Sequence, residues 1–206
     1  MRIRDTRGLL RPLLNAVRFF AVILLTYLIH VCIMPEIRFF DVKPNLVLAV
    51  MAVVTVGFER IKSIWYGLIM GILLEVMQPT TPMLSLLLYP IIAALSCLIF
   101  ADKSMQRLEY ERGLGKPGRN KPALLRTPLC AAFDAGVYEA VNIAYVYLNG
   151  TELELSHFMR GLTDVVFTTL LALLLMYPLR RFFGIRTAPD PSRAVQQPRP
   201  YRRQKG

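Results

Sequence analysis

The stretch Ser63–Pro79, SIWYGLIMGILLEVMQP, most constrains what this chain can fold into. It is apolar over nearly the length of a membrane helix, which needs about 20 residues. Four residues in it recur at every fourth position and so share one face of a helix: Ser63, Gly67, Gly71 and Glu75. Two glycines in G-x-x-x-G spacing let another helix backbone approach closely, and a carboxylate near the bilayer is tolerable only where it faces protein. We therefore predict that this stripe docks a partner or an adjacent helix, with Glu75 as the polar anchor at its outer end. The simpler alternative is a packing seam followed by an interfacial acid.

The rest of the chain has the composition of a membrane protein. Of its 206 residues, 54% are hydrophobic, and its mean hydropathy is +0.43. Several apolar runs approach the ~20 residues that cross a bilayer. We predict an all-α fold, a polytopic membrane bundle of about six transmembrane helices, over roughly 19–34, 45–58, 63–79, 83–101, 127–148 and 158–182.

The distribution of charge predicts the topology. The formal net charge is +11, and the basic residues cluster in 1–18, 59–62, 102–126 and 180–205. The intervening loops, 35–43, 78–82 and 149–157, carry no basic excess. By the positive-inside rule both chain ends lie in the cytoplasm. This distribution argues against nucleic acid as the partner.

The chain is thus predicted to have three parts. A basic cytoplasmic N-terminus covers 1–18, and a transmembrane domain covers 19–182, with its cytoplasmic loop at 102–126. The tail 183–206 is rich in Pro, Gln and Arg, so we expect it to be disordered and to attach to anionic lipid head groups.

Polar residues in the last two predicted spans mark two further candidate features. In the fifth span we predict a buried polar face, because its members lie in one arc of a helix or at its margin: Asp134, Tyr138, Glu139, Asn142 and Tyr145. In the sixth span, Arg160 and Asp164 are one turn apart and can form an ion pair.

Signatures of catalysis are missing from the sequence. It has no P-loop, no G-x-S-x-G, no H-E-x-x-H and no metal-ligand spacing. The three cysteines form no paired pattern, and the two histidines, His30 and His157, fall near predicted outer ends. We therefore predict that the protein is not an enzyme and needs neither a cofactor nor a metal.

Three sequence features follow one another between Lys43 and Phe100. Pro44-Asn45-Leu46 opens an apolar helix, Glu59-Arg60 and Lys62 form a basic turn, and the G-x-x-x-G-x-x-x-Glu helix ends at Glu75. This arrangement resembles the rod-shape-determining MreD family of bacterial inner-membrane proteins. That family often has Asp where this chain has Asn45 and Glu75, and a more Gly-rich turn in place of Pro79–Pro82.

The resemblance implies a non-enzymatic, multi-pass subunit of the bacterial cell membrane that acts in cell shape and peptidoglycan synthesis. Its expected partners are those of the cell-elongation machinery, or elongasome: a periplasmic scaffold of the MreC type, an actin-like filament system and the peptidoglycan synthases. The alternative is the substrate-binding subunit of an energy-coupling-factor vitamin transporter, which has a similar size and number of spans. Such subunits usually carry an Ala-x-x-x-Ala seam in the first helix, whereas the first span here has only Ala21.

Overall fold

A computed structural model describes residues 6–37, 42–57, 60–77, 84–103, 110–111, 113–115, 122–150, 152 and 154–183. Throughout these ranges the regular structure is helical, without strands, which confirms the all-α prediction. The helices are α1 (Thr6–Leu28, continued by a π-helical turn at Ile29–Ile33), α2 (Leu46–Gly57), α3 (Arg60–Met77), α4 (Leu84–Phe100), α5 (Ala123–Leu148) and α6 (Leu155–Phe182). The predicted outer turn at 78–82, most of the inner loop at 102–126 and the tail beyond residue 183 lie outside the described residues.

Three helical segments are long and apolar enough to cross a membrane: Leu13–Ile33, Ala123–Leu148 and Leu155–Phe182. The first belongs to a helix that begins at Thr6, upstream of the start predicted at residue 19. Two apolar helices are shorter, α2 with 12 residues and α4 with 17. The protein therefore has the helices of a membrane protein.

Helix α2 is the centre of the bundle. Every residue from Leu46 to Val56 is buried, and α2 contacts all five of the other helices. A helix that is apolar on every side is stable only inside a protein or a membrane. Its 12 residues rise about 18 Å, which is well short of a hydrocarbon core of about 30 Å. The ends of α2 are therefore buried, and their free backbone groups need partners from other segments.

Side chains supply those partners at both ends of α2. At its start, the Asn45 side-chain carbonyl Oδ1 accepts a hydrogen bond from the Leu48 backbone N–H at 3.3 Å, which is a helix cap. At its other end, Arg126 Nη2 donates to the Val56 carbonyl at 3.4 Å, and Nη1 donates to Asp102 Oδ1 at 2.6 Å. A cation at a helix C-terminus also complements the helix dipole. The Arg126 contacts thus anchor the end of α2 to α5 and to the segment that follows α4.

The side of α6 that faces away from the bundle is apolar along its length. Four aliphatic residues at every fourth position are between 50% and 72% exposed: Leu162, Val166, Leu170 and Leu174. Exposing such a continuous apolar stripe to water is unfavourable, and soluble monomers rarely do so, whereas lipid chains would cover it. This stripe is what a helix at the edge of a membrane bundle requires.

Candidate functional site

The glycine stripe of α3 lies directly against α4. A Cβ atom added at Gly67 would be 2.8 Å from the Tyr89 carbonyl oxygen, and one added at Gly71 would be 2.9 Å from the Ser85 carbonyl oxygen. As α3 advances from Gly67 to Gly71, the contacted residue in α4 moves back from 89 to 85, so the helices run antiparallel. The missing side chains allow this close backbone approach. The stripe thus docks an adjacent helix of the same chain.

Both ends of the stripe are held by polar contacts. The hydroxyls of Ser63 and Thr55 lie 2.5 Å apart in a buried hydrogen bond that joins α3 to α2. At the other end, Glu75 Oε2 accepts a hydrogen bond from the Ser85 backbone N–H at 3.2 Å. Ser85 is in the first turn of α4, where backbone N–H groups have no helical partner and negative charge is favourable. Glu75 therefore caps the helix against which its own stripe packs.

A second polar contact, here called the inner cluster, joins α4 to α5. Asp134 is fully buried. Its Oδ1 accepts a hydrogen bond from the Ser96 hydroxyl, and its Oδ2 accepts one from the Cys130 thiol at 3.7 Å. These two donors satisfy the hydrogen-bonding needs of the buried carboxyl group, and no basic side chain among the described residues forms an ion pair with it.

The opposite end of the bundle contains a cavity of about 310 Å³, here called the outer cavity. It is enclosed by the end of α1, the segment before α2, the end of α3, the start of α4, the second half of α5 and the start of α6. The residues with polar side chains that line it are His30, Lys43, Asn45, Ser85, Tyr89, Tyr138, Glu139, Arg160 and Asp164.

A chain of hydrogen bonds forms the floor of this cavity. The Asn45 amide Nδ2 donates to the Tyr89 hydroxyl at 3.2 Å, and the Asn45 backbone N–H donates to the Thr168 hydroxyl at 2.9 Å. Thr168 in turn donates to Asp164 Oδ1 at 3.2 Å. Asn45 therefore connects α2, α4 and α6 at one point while it caps α2.

Helices α5 and α6 form one wall of the cavity. The rings of Tyr138 and Tyr89 are 5.7 Å apart. The Glu139 carboxyl group faces that of Asp164, and Arg160 lies near enough to Glu139 to interact electrostatically. Asp164 is only 5% exposed, whereas Arg160 is exposed.

The predicted pairing of Arg160 with Asp164 is not what the structure has. No ion pair joins these two described residues. Asp164 is buried against Thr168 and Glu139 instead. A guanidinium is more stable where solvent can reach it, so the exposed Arg160 side chain remains at the mouth of the cavity. The spacing of four residues allows this arrangement as well as the predicted pairing.

The predicted polar face of α5 is divided between two places. Asp134 belongs to the inner cluster, whereas Tyr138 and Glu139 line the outer cavity. Asn142 is half-buried beside both of these, and Tyr145 is half-buried one turn further on.

The sequence reasoning missed Thr168 and Lys43 and did not give Asn45 a role in a site. One signal was present for Asn45, because an Asn directly before an apolar run is a typical helix cap. No comparable signal marks Thr168, whose role depends on a neighbour 123 positions away.

Among the described residues, no group of three or more His, Cys, Asp or Glu side chains could hold a metal ion. The polar side chains of the outer cavity can recognise a ligand by charge and hydrogen bonds. No protein-family model, no curated protein and no solved structure matches this chain.

Proposed function

We propose that this chain is a non-enzymatic, multi-pass subunit of the cell-elongation machinery in the bacterial inner membrane. In this proposal it links a periplasmic scaffold of the MreC type, the peptidoglycan synthases and the actin-like filament system. Its six helices cross or enter the bilayer with both chain ends in the cytoplasm. The basic N-terminus and tail contact anionic lipids on that side.

One observation carries the proposal. Three of the residues that resemble the MreD family hold α2, α3 and α4 together at their outer end. Asn45 caps α2 and bonds to Tyr89, Gly71 admits the backbone of α4, and Glu75 caps α4. These three residues therefore define how three helices meet at one end of the bundle, which is the expected property of a structural subunit.

The position of the basic residues supports the proposed orientation. Arg126 bonds to the end of α2, and the Arg60 carbonyl at the start of α3 contacts Cys97 near the end of α4. Arg126 and the start of α3 therefore lie at the end of the bundle opposite the outer cavity. Arg180 and Arg181 occupy the last turn of α6, at the same end. Basic residues concentrated at one end mark the cytoplasmic side.

The second candidate is the substrate-binding subunit of a vitamin transporter of the energy-coupling-factor type. The outer cavity favours it, because a cavity at the outer end of a helix bundle is where such a subunit would hold its substrate. The first helix lacks the Ala-x-x-x-Ala docking seam, which disfavours it.

Purification of the tagged chain from cross-linked native membranes separates the two functions. The cell-elongation role predicts recovery of a single-span periplasmic scaffold and of peptidoglycan synthases. The transporter role predicts recovery of ATPases and a coupling membrane subunit. Recovery of ATPases without any cell-wall protein would overturn the first proposal. A Gly136→Ala variant is the matched control for tagging and expression, since nothing lies within 4 Å of the added Cβ.

A further inference from the structure

Charges of opposite sign occupy different depths of the outer cavity. Asp164 is buried at its floor, where Glu139 faces it. Arg160 and Lys43 are exposed at its mouth. Arg160 and Asp164 are four residues apart on α6, which corresponds to about 6 Å along the helix axis. The cavity is therefore acidic at the bottom and basic at the opening.

The basic residues at the mouth form no ion pair with the residues that the structure describes. Among the residues that the structure describes, neither Lys43 nor Arg160 takes part in an ion pair, and the ion pairs found there, such as that of Arg126 with Asp102, lie at the inner end of the bundle. Cations left free around a concave site attract an anionic group. At the floor, the Glu139 and Asp164 carboxyl groups face each other, and Arg160 acts on Glu139 from the mouth without forming an ion pair with it. Carboxyl oxygens can accept hydrogen bonds from an ammonium group.

Two tyrosines form part of the wall of the cavity. Tyr89 and Tyr138 lie side by side with their rings 5.7 Å apart, and both line the cavity. Aromatic faces attract ammonium groups through their π electrons. The volume of about 310 Å³ is at the lower limit of ordinary ligand sites. A small group therefore fits better than a large ring system.

We propose that the outer cavity binds a zwitterionic amine–phosphate group, as in ethanolamine phosphate. The ammonium lies against Glu139 and Asp164, and the phosphate lies between Arg160 and Lys43. A phosphate offers oxygens in several directions, so one group can accept both from an arginine fork and from a lysine on a separate segment.

The membrane placement proposed above puts the mouth of the cavity near the lipid head groups of the outer leaflet. The ligand is then either the head group of phosphatidylethanolamine or a free amine–phosphate with the same chemistry. The inference rests on the membrane placement proposed above, but it does not depend on the cell-elongation role.

Binding is tested on the full-length chain purified in a mild detergent. The probes are soluble phosphoethanolamine and phosphatidylethanolamine, with phosphatidylglycerol as the comparison lipid because it has the phosphate and lacks the ammonium. Native mass spectrometry counts the bound lipid, and thermal unfolding measures stabilisation by the soluble probe. We expect phosphatidylethanolamine to be retained in preference to phosphatidylglycerol, with stabilisation by phosphoethanolamine if the free form also binds.

Variants at the two charged ends of the site make the test specific. We expect Arg160→Gln and Glu139→Gln each to weaken binding about tenfold or more, since a hydrogen bond to a charged group is lost. Arg181→Gln, an exposed arginine at the inner end, is the matched control and should bind like the wild type. Arg160 is also exposed, so its replacement should leave the fold intact.

Two results separate the sources of the ligand, and both support the proposal. Retention of phosphatidylethanolamine without an effect of the soluble probe assigns the lipid head group, and binding of both assigns the shared chemistry. The proposal is overturned if phosphatidylglycerol is retained as well as phosphatidylethanolamine, if neither probe binds, or if Arg160→Gln and Glu139→Gln bind like Arg181→Gln.

Discussion

Replacing Gly67 by alanine should separate α3 from α4. The added Cβ would be 2.8 Å from the Tyr89 carbonyl oxygen and 2.9 Å from the Ala93 Cβ, whereas ordinary contact begins at 3.4 Å. The nearest atom belongs to the backbone, so no side-chain rotation can relieve the clash. The two helices must therefore move apart by about 0.6 Å at this point, and the packing around it is lost.

The size of the effect follows from comparison with another helical glycine. Forcing an extra methyl group into a packed contact costs about 1–3 kcal/mol. Gly136 lies in α5, and a Cβ added there meets nothing within 4 Å. Both substitutions gain the same helix propensity of about 1 kcal/mol, which cancels in the comparison. Gly67→Ala should therefore be less stable than Gly136→Ala by about 1–3 kcal/mol.

Reversible unfolding of the full chain in mixed micelles measures this difference. Circular dichroism follows the loss of helix as the denaturing detergent increases, at matched protein concentration. Gly71→Ala should behave like Gly67→Ala, since its Cβ would be 2.9 Å from the Ser85 carbonyl oxygen. Equal stability of Gly67→Ala and Gly136→Ala would refute a close α3–α4 contact.

Three other substitutions or labels test separate parts of the account. Asn45→Ala should cost about 1–3 kcal/mol in the same unfolding assay because it removes a buried helix cap, whereas Asn45→Ser, which keeps a capping oxygen and adds no charge beside Asp164, should retain part of that stability; equal losses would contradict the capping role. Asp134→Ala should destabilise by about 1–3 kcal/mol because it leaves buried donors without an acceptor, and more than Val137→Ala, a half-buried control; the reverse order would exclude the inner cluster as a stabilising contact. In intact cells, a membrane-impermeant thiol reagent should label a cysteine at Glu152 and not one at Gly115; labelling of both, or of Gly115 alone, defeats the proposed topology.

Sequence periodicity identified the glycine face of α3 but not the helix that it meets. A repeat every fourth residue assigns residues to one side of a helix, and nothing local states what lies opposite. Here the neighbour is α4, the next helix along the chain, and Glu75 bonds to the first turn of that helix. Both facts depend on how the two helices pair, which no periodic pattern describes.

The polar face of α5 shows a second limit of periodicity. Its residues share an arc in projection, but α5 has 26 residues and is about 39 Å long. Residues at different positions along the α5 axis therefore contact different neighbouring helices. Asp134 meets Ser96 in α4, whereas Glu139 reaches Asp164 in α6. Burial of Asp164 likewise overrode the pairing with Arg160 that spacing alone allowed.

The proposed role in cell elongation is tested most directly by depleting the protein in the organism that encodes it and measuring cell width by microscopy. We predict that rods widen and become round on depletion, and that the wild-type gene and Gly136→Ala restore the rod. Gly71→Leu should fail to restore it at matched protein level, because a leucine cannot fit where a Cβ alone would be 2.9 Å from the Ser85 carbonyl oxygen. Cells that keep their rod shape and width after complete depletion would contradict the proposed function.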